Sequence, residues 1–208
     1  MTLSVAGVLM AGGQSRRMGG GDKCLRPLDG KPILEHVIDR VRPQVAPLLL
    51  NANGDPERFA AFGLPVAADV VGDFAGPLAG VLTGLEWAAE RAPTCSWLAS
   101  FATDAPFLPQ DLAARLLAAV EAEDADMACA ASGGRDHPVF GLWPVRLRGD
   151  LRRAMVEEDI RKVDAWTARF KLARVAFPPV ETPAGPLDCF FNTNRPEDLA
   201  EAERFARA

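Results

Sequence analysis

The sequence is poor in the residues that build metal clusters and disulfide frameworks. Its 208 residues include two histidines and four cysteines, which are scattered along the chain. Two histidines are too few for a multi-histidine metal centre, and the cysteines form neither a zinc knuckle nor a C-x-x-C redox pair. We therefore expect a reduced, cytoplasmic protein, in which any metal ion is a hard cation bound by oxygen atoms.

Long apolar runs and an excess of positive charge are also missing. No stretch approaches the ~18–20 consecutive apolar residues of a membrane-spanning helix. The apolar run after Met1 is short and has no basic leader, unlike a secretory signal. The formal net charge is -5, which disfavours a protein that grips nucleic-acid phosphates. We expect no membrane and no nucleic-acid partner, so that any anion-binding site must be local.

The composition is that of a folded globular protein, with 49% hydrophobic and 25% charged residues. Short apolar runs predict buried strands, and apolar residues at helical spacing predict helices between them. The predicted strands span residues 5–10, 47–52, 65–68, 97–102, 127–131, 139–143 and 172–177. The predicted helices span 33–41, 58–62, 77–89 and 112–120, with helical patterns over 147–170 and a last helix from 196.

This alternation predicts the fold class. Strands that alternate with helices favour an α/β fold, a single domain over 1–208 with a mostly parallel, Rossmann-like sheet and helices on both faces. Residues 132–137 are predicted to form a polar loop, and 178–186 a proline-rich loop. In open sheets of this kind, ligands bind beyond the carboxyl ends of the strands. Residues that directly follow a strand are therefore candidates for a site.

The strongest motif is the glycine-rich segment 9–23, which follows the first predicted strand. Glycines free successive backbone N–H groups to surround a phosphate, and Arg17 and Lys23 can neutralise its charge. The segment is not a P-loop, because Lys23 lies between Asp22 and Cys24 where that motif needs Gly-Lys-Ser/Thr, and its glycine spacing does not fit a dinucleotide fingerprint. A surface loop with solvated arginines is the alternative, which the position after a strand disfavours.

The segment resembles the signature of GTP- and CTP-dependent nucleotidyltransferases, roughly L-A-G-G-x-S-x-R-M-G-x-x-D-K, with Met10 in place of the usual leucine. Within that group, the chain is most similar to the molybdenum cofactor guanylyltransferases, over nearly its whole length. Further matching stretches are GKP at 30–32, NAN at 51–53, GPLAG at 76–80, TDAP at 103–106, DHP at 136–138 and FFNTNRPEDL at 190–199. Several matches in order are more specific than one.

The resemblance implies a nucleotidyltransferase fold and an activity. The activity is Mg²⁺-dependent transfer of GMP from GTP to the terminal phosphate of molybdopterin, with release of pyrophosphate. Arg17, Lys23 and Asp104 would be catalytic, and Asp104 and Asn194 would hold the Mg²⁺. Proteins that insert or chaperone the molybdenum cofactor would be transient partners. The implied nucleotide contacts are Met10, Ala11, Gly12, Gly13, Lys23, Asn51, Asp69 and Asp104.

Two of these residues also have a structural interpretation as helix caps. Asp104 follows the strand 97–102, where a phosphate-bound Mg²⁺ would lie. Its alternative role, capping the helix that begins after Pro109, fits poorly because five residues separate the two. Asn194 either contributes to the metal or triphosphate site or caps the helix at Pro196, and both interpretations stay open.

Other candidates lie at strand ends. Asn51 and Asp69 each end a short apolar run and would face the ligand crevice, with turn formation as the alternative. The glycines of 76–80 would let the backbone approach a planar base, unless the segment is a plain helix start. His137 forms no convincing nucleophile pair with a nearby serine or cysteine, so a binding or structural role is expected for it.

Three other functions remain as alternatives. The nearest is a cytidylyltransferase acting on the same pterin; Asn-Thr-Asn at 192–194 favours guanylyl transfer because, by resemblance, the cytidylyl relatives tend to carry aspartate there. A sugar-phosphate or terpenoid-precursor nucleotidyltransferase is the second. The third is a nucleotide-binding regulatory or carrier module without turnover, since a fold alone does not establish catalysis; Lys23 and Asp104 argue against it.

Overall fold

The computed structural model describes residues 5–11, 22–72 and 76–207. Within these ranges, seven strands form one mixed sheet and four short strands form two small hairpins. The strands are β1 (Val5–Met10), β2 (Pro27–Leu28), β3 (Lys31–Pro32), β4 (Leu48–Asn51), β5 (Val66–Ala67), β6 (Trp97–Ala102), β7 (Met127–Ser132), β8 (Arg135–Pro144), β9 (Leu172–Ala176), β10 (Val180–Thr182) and β11 (Gly185–Leu187). The α-helices are α1 (Ile33–Val41), α2 (Pro77–Arg91), α3 (Leu112–Glu123), α4 (Arg148–Val156), α5 (Val163–Thr167) and α6 (Pro196–Ala206), with 3₁₀ turns at Lys23–Leu25, Pro56–Phe62 and Val145–Leu147.

The large sheet has the order β5-β4-β1-β6-β8-β7-β9. β1 pairs in parallel with β4 and β6, and the pairs β4–β5 and β7–β9 are also parallel. β8 runs antiparallel to both of its neighbours, β6 and β7. The prediction of a mostly parallel sheet is confirmed. Because β8 is reversed, its first residues lie at the edge where β1, β4 and β6 end, which we call the carboxyl edge.

Helices cover both faces of the sheet and divide the core into two layers. Val5 and Leu9 of β1 pack in the layer that contains α1 and α3, whereas Val8 and Met10 pack in the layer that contains α2 and α4. A strand covered on both faces needs apolar residues throughout, which explains the unbroken apolar run of β1. The prediction of helices on both faces is confirmed.

The predicted elements are correct where apolar runs are long and wrong in two loops. β1, α1 and β6 have the predicted bounds. The polar loop predicted at 132–137 is instead the end of β7, a turn at Gly133 and Gly134 with φ of 54° and 75°, and the start of β8. Positive φ at both turn residues is typical of a tight hairpin. The hairpin was not predicted because polar side chains on both strands interrupt the hydrophobic pattern.

The second wrong loop is the one predicted at 178–186, which contains the hairpin β10–β11. The extent of the domain over 1–208 stays a prediction. Across 5–11, 22–72 and 76–207, no helix has both the length and the apolar character needed to cross a membrane.

A buried serine joins β6 to β8 in the core. Ser100 donates its O–H to the carbonyl of Val139 at 2.7 Å. Its Oγ accepts from the indole Nε1–H of Trp143 at 2.8 Å and from the backbone N–H of Gly141 at 3.4 Å. A hydroxyl has one donor and two acceptor positions, so all are used here. This side chain therefore satisfies polar groups that the fold has buried.

Replacing Ser100 by alanine is expected to destabilise the fold. Ser100→Ala leaves the Trp143 N–H and the Val139 carbonyl without this partner, and should lower the free energy of unfolding by roughly 1–3 kcal/mol. Urea denaturation measures the change. Ser96→Ala, at an exposed residue of the same segment, is the control and should change stability by less than ~0.5 kcal/mol. Equal losses in the two variants would contradict the role given to the Ser100 hydroxyl.

Candidate active site

A cleft of about 820 Å³ lies at the carboxyl edge of the sheet. Ligands bind at this position in open α/β sheets. Its walls come from the ends of β1, β4 and β6, from the start of β8 and from the loops that follow these strands. Its lining includes Met10, Ala11, Asp22, Lys23, Asn51, Asn53, Asp69, Gly80, Asp104, His137 and Asn192.

Lys23 joins the two residues that the sequence analysis placed around a metal ion. Its Nζ donates to Asp104 Oδ2 at 2.9 Å and to Asn194 Oδ1 at 2.5 Å. The side chains of Lys23 and Asp104 are 18% and 24% exposed, so their ion pair is partly shielded from water. We call Lys23, Asp104 and Asn194 the charge cluster.

Backbone contacts hold the charge cluster in place. The carbonyl of Asp104 accepts from the backbone N–H of Thr193 at 2.9 Å and from its hydroxyl at 3.2 Å. The Thr103 hydroxyl donates to the carbonyl of Met10 at 3.2 Å. These contacts tie the segment after β6 both to the end of β1 and to the segment before α6. Three distant parts of the chain therefore meet at one point.

The structure excludes the capping alternatives for the charge cluster. The N-cap residue of α6 is Arg195, and Asp198 Oδ2 accepts from the backbone N–H groups of Asn194 and Arg195 at 2.9 and 2.8 Å. The Asn194 side chain bonds to the lysine instead. The residue before α3 is Asp111, not Asp104.

A second polar cluster lies at the ends of β4 and β5. Asp69 Oδ1 accepts from Asn51 Nδ2 at 2.9 Å, and Asp69 Oδ2 accepts from Asn53 Nδ2 at 2.8 Å. Asn53 Oδ1 accepts in turn from the Asp69 backbone N–H at 2.8 Å. A carboxylate oxygen can accept more than one hydrogen bond, so the Asp69 carboxylate keeps capacity for a ligand donor. We call these three residues the asparagine–aspartate cluster.

Asn53 was missed by the sequence analysis as a site residue. The signal was present, since residues two apart in an extended segment point to the same side. Asn51 ends β4, and the NAN spacing therefore predicts that Asn53 faces Asp69 together with Asn51. Asn51 and Asp69 bond to each other across neighbouring strands, so they do more than form turns.

Gly80 of α2 lets the helix pack directly on this cluster. A Cβ atom at Gly80 would lie 2.6 Å from Asn51 Oδ1 and 2.8 Å from Met10 Sδ. Pro77 occupies the first turn of α2, and both residues line the cleft. The segment 76–80 is therefore a helix start as well as a place of close backbone approach.

His137 lies near the start of β8, on the other side of the charge cluster. Its Nε2 is 2.7 Å from Ser132 Oγ, which is also 2.8 Å from Asp188 Oδ2. The imidazole stacks on Phe190 with 4.6 Å between ring centroids. Burial lowers the pKa of His137. Ser132 and Asp188 were not predicted as site residues, because 132–137 was expected to form a loop and not two paired strands.

The cleft supplies charge and hydrogen bonds rather than a side-chain nucleophile. Burial, with a further contribution from the Asp22 carboxylate, raises the pKa of the Cys24 thiol to about 12. The thiol is therefore protonated at neutral pH and unreactive. Among the residues that the structure describes, no three His, Cys, Asp or Glu side chains converge as a metal cluster would require.

Three predicted site residues, Arg17, Gly12 and Gly13, lie outside the described residues. Met10 and Ala11 line the cleft, and the backbone N–H of Ala11 donates to the carbonyl of Asn51 at 2.9 Å. The roles of all the site residues in binding and catalysis stay predictions.

Residues 7–173 of the chain match the family model of the MobA-like NTP transferase domain. The chain belongs to this family. A molybdenum cofactor guanylyltransferase of Bradyrhizobium sp. (strain ORS 278) is 60% identical over 99% of this chain and 94% of its own length. A protein of the same name from Nitrobacter hamburgensis is 56% identical over 96% and 93%.

Solved structures confirm the fold of this MobA-like NTP transferase. Molybdopterin-guanine dinucleotide biosynthesis protein A from Archaeoglobus fulgidus has a TM-score of 0.71 and 20% identity, covering 97% of this chain and 98% of its own. A CMP:2-keto-3-deoxy-manno-octonic acid synthetase has a TM-score of 0.72 at 12% identity, covering 98% of both chains. The expected nucleotidyltransferase fold is therefore confirmed, and the family membership makes the protein a nucleotidyltransferase.

Gly80→Ala is expected to disturb the asparagine–aspartate cluster. The added methyl group must push Asn51 or Met10 away, and overpacking of this kind costs about 1–3 kcal/mol. We expect nucleoside triphosphate to bind roughly tenfold more weakly, which corresponds to about 1.4 kcal/mol. Calorimetric titration measures the affinity.

The control for this variant is Gly149→Ala in α4, where an added Cβ would meet no heavy atom within 4 Å. Alanine should be tolerated there or should stabilise the helix slightly. Unchanged nucleotide affinity in Gly80→Ala would show that the close approach of α2 does not shape the nucleotide site.

Proposed function

We propose that this protein is a Mg²⁺-dependent guanylyltransferase that transfers GMP from GTP to the terminal phosphate of molybdopterin and releases pyrophosphate. The observation that carries the proposal is the convergence of Lys23, Asp104 and Asn194 at the carboxyl edge of a nucleotidyltransferase fold. The names of relatives that are 60% and 56% identical over nearly the whole chain support guanine as the base and molybdopterin as the acceptor.

The donor set of the charge cluster fits a hard divalent cation. One carboxylate oxygen and one amide oxygen already converge on a positive group, the Lys23 ammonium. Mg²⁺ typically takes one or two carboxylates together with oxygens of the substrate phosphates. Asp104 and Asn194 would hold the ion, and when bound it would supply neutralisation of the negative charge on the triphosphate.

The chemistry requires positioning and charge compensation. An oxygen of the molybdopterin phosphate forms a bond to the α-phosphorus of GTP, and the bond from that phosphorus to the α–β bridging oxygen breaks, so that pyrophosphate leaves. Both reactants are anions, and fixed cations and N–H groups lower the barrier by stabilising the charge that is transferred. Lys23 would donate to the triphosphate, and Arg17 would do so by resemblance. The acceptor phosphate is itself the nucleophile, so the reaction does not need a thiolate from Cys24.

The two clusters at the carboxyl edge would each contact a different part of the nucleotide. The asparagine–aspartate cluster and the first turn of α2 would contact the base or sugar, and Met10, Ala11 and the charge cluster would contact the triphosphate. The carboxylate of Asp69 can accept from N–H donors, which the guanine edge presents. The expected cytoplasmic location and the transient contact with molybdenum cofactor insertion or chaperone proteins stay predictions.

The proposed function predicts selective turnover of GTP. Purified protein with Mg²⁺ and molybdopterin should release pyrophosphate from GTP, and GTP should bind at least tenfold more tightly than CTP or ATP. The wrong base leaves buried polar groups unpaired at a cost of ~1–3 kcal/mol for each group, and about 1.4 kcal/mol corresponds to tenfold. A pyrophosphate assay and calorimetry with the three nucleotides measure both effects. Preferred turnover of CTP would identify a cytidylyltransferase, and GTP binding without turnover would identify a carrier module.

Asp104→Asn is expected to abolish most of the turnover while the fold survives. Asparagine keeps the shape and an oxygen acceptor for Lys23, but it removes the anion that would hold Mg²⁺. We expect a rate loss on the order of 10²–10³, as for other losses of a positioned charge, and weaker binding of Mn²⁺ used as a spectroscopic probe. Asp111→Asn, at the exposed residue before α3, is the control. Near-normal activity of Asp104→Asn at limiting Mg²⁺ would move the metal site elsewhere.

A further inference from the structure

His137 and the asparagine–aspartate cluster lie on opposite sides of Asp104. In the sheet order, Asn51 ends β4, Asp104 follows β6 and His137 lies near the start of β8. β4 and β8 are three strands apart, which is roughly 14 Å at about 4.8 Å per strand. A nucleotide bound between β4 and β6 leaves the β8 side of the cleft for the acceptor substrate. We call this the acceptor side.

Ser132 fixes the tautomer of the His137 ring. A hydroxyl has one hydrogen to donate, and a carboxylate only accepts. The Ser132 O–H therefore donates to Asp188 Oδ2, at 2.8 Å, and Ser132 Oγ can only accept from His137 Nε2, at 2.7 Å. The ring must carry a proton on Nε2, so that in the neutral form the lone pair is on Nδ1.

The other ring nitrogen is available to a ligand. His137 lines the cleft, and no hydrogen bond within the described ranges reaches its Nδ1. Stacking on Phe190 and the bond to Ser132 hold the ring in one orientation. Burial, with a further contribution from Arg135, lowers the pKa of His137 more than the carboxylates of Asp188 and Asp136 raise it. Nδ1 is therefore a hydrogen-bond acceptor at neutral pH.

A second unpaired acceptor lines the same cleft. Asn192 Oδ1 is buried and has no hydrogen-bond partner among the described residues, and Asn192 lines the cleft two residues beyond Phe190. A buried acceptor without a donor is costly, so such atoms usually meet a ligand or water. Two unpaired acceptors favour a ligand rich in N–H donors.

We propose that His137 is a specificity-determining residue for the acceptor substrate, whose pterin ring donates an N–H to Nδ1, and that Ser132 and Asp188 are positioning residues that fix this tautomer. The inference rests on the proposed function, because it needs an acceptor with a donor-rich heterocycle. A pterin carries ring and amino N–H groups, which match acceptor atoms. A fully ionised phosphate presents only acceptor oxygens and does not match the lone pair of Nδ1.

The test is His137→Gln, with both substrates varied in steady-state kinetics. The glutamine amide N–H₂ can replace Nε2–H in the bond to Ser132 but supplies no acceptor at the position of Nδ1. We expect the KM for molybdopterin to rise at least tenfold, while the KM and calorimetric Kd for GTP stay within twofold. His137→Asn, which returns an amide oxygen near Nδ1, should recover part of the loss. Ser132→Ala should raise the KM for molybdopterin by a smaller factor.

The tautomer is measured independently of activity. The chain has two histidines, so the ring nitrogen signals in ¹⁵N NMR are assigned by their loss in His137→Gln and in His36→Gln. His36 bonds through Nε2 to the carbonyl of Leu28, and His36→Gln is the kinetic control with both KM values unchanged. We expect the Nε2–H tautomer for His137, with loss of that preference in Ser132→Ala. An Nδ1–H tautomer in the wild-type protein would overturn the inference even if variants at His137 fail to fold.

The kinetic outcomes separate the inference from the proposed function. Transfer of GMP to molybdopterin by the wild-type protein supports the function, whatever the variants do. If that transfer occurs and His137→Gln raises the KM for GTP, or changes neither KM, the inference is wrong and the function stands. If the wild-type protein transfers GMP to no pterin, both are wrong.

Discussion

The parallel pairing of β1 with β4 and β6 is the constraint on which the rest of the structure depends. Parallel hydrogen bonding brings the ends of these strands to one edge, and it requires helical connections that cover both faces of the sheet. Met10, Asn51 and the segment leading to Asp104 therefore share one edge although they are far apart in the chain. The reversed strand β8 adds His137 to the same edge. The cleft is a direct result of strand direction.

The Lys23 ammonium is a local positive group in a protein whose net charge is negative. The net charge of -5 repels anionic substrates at long range. Salt screens that repulsion beyond about 10 Å, whereas the partly buried ammonium of Lys23 acts at contact distance. A negative net charge is therefore compatible with the proposed transfer between two anionic reactants.

Structural features that depend on residue patterns along the chain could be predicted from the sequence. Features that depend on contacts between strands or between distant segments were missed. β1 and β6 are buried on both faces, so their apolar runs define their bounds. The β7–β8 turn was not predicted, because the polar residues of these partly exposed strands resemble a loop sequence. The hydrogen bond from Ser132 to Asp188 was therefore not predicted either. Asn194 stayed ambiguous because capping preference is local, whereas its bond to Lys23 spans 171 residues.

The hydrogen bonds that build the cleft join residues at very different separations in the sequence, and this difference affects how the site assembles during folding. Ser132 and His137 are five residues apart and are joined by a two-residue turn, so their contact closes a very short loop. The contacts of Lys23 with Asp104 and Asn194 close loops of 81 and 171 residues. Closing long loops costs more chain entropy and depends on the intervening structure. The charge cluster can therefore form only when the sheet and the segment before α6 are both in place, so that a partly folded chain does not contain the assembled cluster.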